Sequence, residues 1–113
     1  MFKLQRTPAY WWPVTVAFAA DGGKWETETL EVQFVRLDET GFKALFDEVR
    51  EHKLNDSQVA ARVVLDWRAV CDAQGQVVPF SADNLAASCK LPGVAGALAR
   101  AFIDSFSQAG AGN

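Results

Sequence analysis

The stretch Asp66-Trp67-Arg68-Ala69-Val70-Cys71-Asp72-Ala73-Gln74-Gly75-Gln76-Val77-Val78-Pro79-Phe80-Ser81-Ala82-Asp83-Asn84-Leu85 carries the organisation of the chain. It reads as the end of an apolar-faced helix, a tight turn, a short apolar run and a newly capped helix. Trp67 and Val70 stand three apart and so share one helical face. Asp72-Ala73-Gln74-Gly75 has Asp at the first and Gly at the fourth turn position, the preference of a type I turn. Pro79 ends the short run, and Ser81 offers a hydroxyl to cap a helix that begins at Ala82. Trp67 and Phe80 flank the turn and are expected in the core.

Upstream of this stretch the periodicity is helical. Asn55 or Asp56 caps a segment in which Val59, Ala60, Val63, Val64 and Trp67 face inward. Before it, Asp38 caps a helix that runs to about Lys53. Phe42, Leu45, Phe46 and Val49 form its apolar stripe, opposite Lys43, Asp47, Arg50 and Glu51. Downstream, a short helix carries Leu85 and Cys89, and Pro92-Gly93 breaks the chain with Pro92 near a helix start. A last helix reaches about Gln108, with Leu98, Phe102 and Phe106 on one side and Arg100, Asp104, Ser107 and Gln108 on the other. Residues 109–113, Ala-Gly-Ala-Gly-Asn, have nothing to bury and read as a flexible tail.

The N-terminal third has the period of a strand. Trp12, Val14, Val16 and Phe18 alternate with Trp11, Pro13, Thr15 and Ala17. Pro13 has no N–H to give to a ladder, so this strand belongs at a sheet edge. Asp21-Gly22-Gly23 is a turn, and a return strand from about Trp25 to Arg36 sets Leu30, Val32 and Phe34 on one face and Glu31, Gln33 and Val35 on the other. A lone hairpin is marginal in water, so helices must cover one face. The expected fold is α+β: an antiparallel hairpin packed against about four helices, as one domain over residues 1–108.

Composition narrows the function. The 113 residues are half apolar and include four Trp and eight Phe, enough for a real core. A net charge of −3 lacks the basic patch that nucleic acid or an anionic membrane requires. No leader pattern or long uncharged apolar run is present, so neither secretion nor a membrane span is expected. Cys71 and Cys89 stand in neither a metal nor a redox spacing and read as reduced thiols. His52 is the single histidine and falls near a helix end, where it interacts with the terminal carbonyls. A zinc site would need His52, both cysteines and a carboxylate to converge from separate segments. Asp47, Glu48 and Glu51 fit the solvated face of a helix better than a general acid–base pair. No catalytic, cofactor or metal residues are assigned. Trp11 and Val35, on the face away from the helices, form an apolar patch that reads as a protein-binding or self-association surface, giving a weak homo-oligomer.

The order of these pieces resembles the tail assembly chaperones of long-tailed bacteriophages. The resemblance rests on Trp12-Pro13-Val14-x-Val16, a glycine turn, Phe34-Val35-Arg36-Leu37-Asp38 entering a helix, the Trp67 stretch through Val-Pro-Phe-Ser-x-x-Asn-Leu, and Leu91-Pro92-Gly93-Val94. Cys89 and Lys90 depart from the more aliphatic residues of that pattern. The resemblance implies a non-catalytic factor of the host bacterial cytoplasm, absent from the finished virion. It would bind the tape-measure protein and help recruit tail tube subunits. In that family a ribosomal frameshift near the end of the gene commonly appends a second domain, which a tail such as 109–113 would accommodate. Two other readings stand beside it: a structural tail-completion or tube-associated protein, and a small-ligand-binding α+β domain using the Trp-rich hairpin.

Overall fold

Strand β1, Ala9–Ala20, and strand β2, Lys24–Val35, pair antiparallel from Ala9 opposite Val35 to Ala20 opposite Lys24. A computed structural model of the chain describes them within residues 1–107. Gly22 and Gly23, at φ of +81° and +74°, close the hairpin in a backbone region that a Cβ disfavours. The alternation read from the sequence is the one observed: Val14, Val16, Val32 and Phe34 are buried, with Trp12, Phe18 and Leu30 at the margin of the same face.

Four helices follow among the described residues. Helix α1 spans Glu39–Arg50, and its Gly41 N–H donates to the Asp38 carboxylate at 2.7 Å. Helix α2 spans Asp56–Val63. Asn55, rather than Asp56, is its cap: the Asn55 Oδ1 accepts from Gln58 N–H at 2.9 Å, while Gln58 Oε1 accepts from Asn55 N–H at 2.8 Å. Helices α3, Ala82–Ser88, and α4, Val94–Phe106, complete the set. Helix α4 lies on the hairpin, where Phe102 meets Phe34 edge-on at 5.3 Å. The Ser105 hydroxyl donates to the Phe102 carbonyl at 2.6 Å, which leaves the Tyr10 O–H to donate to Ser105 Oγ at 2.6 Å. Burial of Phe34 and Phe102, each at most 1% exposed, contributes about 1.5–3 kcal/mol apiece.

The structure corrects the reading of the segment before the turn. The helix stops at Val63, and Val64–Arg68 is a third strand, β3, paired antiparallel with β2 in the order β1-β2-β3. Glu31 and Gln33 of β2 stand opposite Arg68 and Asp66, so the backbone groups on that side of β2 gain partners. The spacing that suggested a helix comes from a β-bulge. Val32 faces Trp67, Gln33 faces Asp66 and Phe34 faces Val64, with the register broken at Leu65. The extra residue puts Val64 and Trp67, three apart, on the same inner face, and this imitates a helical period. Trp67 and Val70 therefore do not share a helix face; Ala69, at φ +65°, turns the chain out of the strand.

The turn itself is as read. The Gly75 N–H donates to the Asp72 carbonyl at 3.0 Å, with Gly75 at φ +77°. The Asp72 carboxylate accepts from the N–H groups of Gln74 and Gln76, both at 2.9 Å. Cys71 bridges Val77, and the Trp67 indole N–H donates to the Val78 carbonyl at 2.9 Å. Trp67 is buried at 7% exposure; Phe80, expected in the core, is half-buried against it, the rings edge-on at 5.4 Å. The domain limit at Gln108 and the flexible tail at 109–113 lie outside the described residues. No helix among the described residues is long and apolar enough to cross a membrane.

Candidate functional site

An apolar groove of about 410 Å³ lies between α2 and α3. The capping box at Asn55 starts α2 so that Ser57, Gln58 and Ala61 face this groove as one wall. The bulge in β3 turns Leu65 outward to 46% exposure, and Val64, Leu65 and Phe80 make the floor. The opposite wall is α3. Its Asn84 N–H donates to Ser81 Oγ at 3.0 Å and its Asn84 side-chain amide donates to the Pro79 carbonyl at 2.9 Å. These bonds hold Ala82, Leu85, Ala86 and Cys89 toward the groove. Small residues on both walls, Ala61 against Ala82 and Ala86, leave room for another chain to approach closely.

Nothing in the groove is poised for nucleophilic chemistry. Burial pushes the Cys89 thiol above its ordinary pKa, and contacts with Ser88 and Ser57 offset this in part. The thiol therefore stays protonated at neutral pH, where the nucleophile would be the thiolate. Cys71 is exposed on the turn. His52 is exposed past the end of α1, at φ +61°, with its backbone N–H donating to the Val49 carbonyl. Among the described residues, no three His, Cys, Asp or Glu side chains cluster as a metal would require, and no buried side chain is polar.

Trp11 stands opposite Gln33, on the strand parity opposite to the buried Val14 and Val16, while Val35, two residues further along β2, packs against the core. Both are half-buried. The Arg68 guanidinium sits over the Trp11 ring at 4.0 Å from its centroid and binds the Glu31 carboxylate at 2.7 Å. Trp11 thus presents a capped ring rather than an open one.

A second apolar surface lies on the apolar sides of α1 and α4. Phe46, on the stripe of α1, and Phe106, on the side of α4 that carries Leu98 and Phe102, are 38% and 37% exposed. With Phe42, which meets Phe106 at 4.2 Å and Phe46 at 6.2 Å, they make an aromatic patch between α1 and the end of α4. The stripes were correctly located; no further element covers their ends among the described residues. The groove was missed because its residues carry no motif. The available signal was Leu65, an apolar residue off the helical stripe, together with the small Ala61 and Ala86 on faces that otherwise read as solvated.

The exposed ion pairs position elements rather than substrates. Arg62 of α2 grips Glu48 of α1 with two hydrogen bonds, at 3.0 and 2.8 Å. That hydrogen bonding holds the Glu48 carboxyl below its ordinary pKa and the Arg62 guanidinium above its own. Comparison with protein-family models, with curated proteins and with solved structures returned no match for this chain.

Proposed function

We propose that this chain is a non-catalytic tail assembly chaperone of the long-tailed phage type, which holds the tape-measure protein in soluble form and helps bring tail tube subunits to it. The observation that carries the reading is the stretch from Asp66 to Leu85, whose order of pieces resembles that family and which supplies Phe80, Ala82 and Leu85 to the α2–α3 groove. A long helical protein with apolar stripes aggregates alone. An apolar groove walled by small residues suits the apolar face of an amphipathic helix. Many weak contacts along one polymer then add through effective concentration.

The test is co-expression with a tape-measure protein of a long-tailed phage. The chain should keep that protein soluble, co-purify with it and be missing from purified virions. Leu65→Asp places a charge in the groove floor at an exposed position and should abolish co-purification while leaving the melting temperature within a few degrees. Retention of the chain in virions would favour a structural tail protein instead. Equal co-purification by Leu65→Asp would remove the groove from the mechanism.

A further inference from the structure

Strand β1 is an edge strand twelve residues long, and from Thr7 to Ala20 the chain carries no Asp, Glu, Lys or Arg. Edges are ordinarily protected by charge. Here the charges of the hairpin, Lys24, Glu26, Glu28 and Glu31, sit on the central strand β2 instead. The pairing pattern shows which backbone groups face out. The hydroxyls of Thr15 and Thr29 meet at 3.0 Å across directly opposed residues, as in the closer, non-hydrogen-bonded type of pair. Pro13, which has no N–H to give, falls in the same parity. Trp11, Thr15, Ala17 and Ala19 therefore turn their backbone N–H and C=O groups away from β2.

Helix α4 runs beside this edge. Trp12, Pro13, Val14 and Thr15 of β1 and Ala97, Arg100, Ala101 and Asp104 of α4 line an open cleft of about 240 Å³. The four helix residues follow the spacing of one face. Arg100 and Asp104 are exposed, and neither takes part in a salt bridge among the described residues.

We propose that a second copy of this chain occupies the edge, its β1 pairing antiparallel with the first about a two-fold axis. Three features select that occupant. A two-fold axis sets each surface against itself, so a helix face with one cation and one anion a turn apart complements its own copy, Arg100 meeting the partner's Asp104 and the reverse. Ala97 and Ala101 leave space for the approach. Each copy carries a net charge of −3, and the uncharged strand is where two such chains meet with the least repulsion. Pro13 offers a carbonyl but no N–H, which restricts the register to one that sets it opposite a donor. The proposal does not depend on the chaperone reading.

Sedimentation of the full chain from about 10 µM to about 1 mM spans the range of weak association. The mass should rise from 12.3 kDa toward twice that value. The amides of Trp11, Thr15 and Ala17 should exchange more slowly with deuterium as concentration rises. Arg100→Asp sets like charges together twice over and should weaken the dimer by about tenfold or more; the added substitution Asp104→Arg should restore it. A chain that stays monomeric across the range overturns the proposal, as does a dimer with unchanged exchange at those amides. A dimer lost in Trp11→Lys but indifferent to Arg100→Asp would place the contact on the open face and also overturn it.

Discussion

Replacing Trp67 with Ala removes the side chain that ties β3, the turn and the hairpin together. Trp67 is 7% exposed, faces Val32 across the sheet, donates its indole N–H to Val78 at 2.9 Å and meets Phe80 edge-on. Burial of a large apolar side chain contributes about 1.5–3 kcal/mol. The hydrogen bond adds about 1 kcal/mol, and the aromatic pair adds about 0.5–1.5 kcal/mol. The expected loss is about 3–5 kcal/mol, the range seen for buried aromatics truncated to Ala. That is a large part of the roughly 5–15 kcal/mol by which domains are stable, and at about 4 °C per kcal/mol it lowers the melting temperature by at least about 12 °C. Urea unfolding followed by circular dichroism measures it. Trp67→Phe keeps the ring and loses the donor, so it should cost about 1–2 kcal/mol. Phe80→Ala should cost about 2 kcal/mol, because Phe80 is only half-buried. A change of less than about 1 kcal/mol in Trp67→Ala would refute the packing argument. Equal losses in Trp67→Phe and Trp67→Ala would assign the effect to the hydrogen bond instead.

Glu48→Gln tests the contact between α1 and α2. The hydrogen bonds from Arg62 hold the Glu48 carboxyl below the ordinary value of 4.5, so its contribution is present above that pH and is lost as the pH falls through the lower folded value. Wild type should melt above Glu48→Gln at pH 7, by an amount that shrinks with salt and shrinks as the pH falls below 4.5; a difference independent of pH would refute the linkage. Gly75→Ala places a Cβ at φ +77° in open space, so only backbone strain opposes it, and a loss of about 1 kcal/mol is expected in urea unfolding.

Local signals in the chain determined most of its elements. The alternation from Trp12 to Phe18 set the inner face of the hairpin, because side chains on a strand point to opposite sides whatever lies beyond them. Asp38 and Ser81 marked helix starts, and Asp72 with Gly75 marked the turn, because each acts on backbone groups within a few residues. The same local logic located the apolar stripes of α1 and α4. It failed at Val64–Arg68, where Val64 and Trp67 stand three apart. A helix face and a bulged strand both satisfy that spacing, and the choice fell to β2, whose outer side would otherwise lack partners. Such a decision belongs to residues thirty or more positions away and leaves no local mark. The groove depends on it in turn. Leu65 is exposed because it is the bulged residue, and Ala61 and Ala86 line a cavity because α2 and α3 come to rest on either side of it. The sequence by itself determined which residues are apolar and where the elements begin; the tertiary structure decided which of those apolar residues stay uncovered, because exposure depends on the neighbours that distant segments supply.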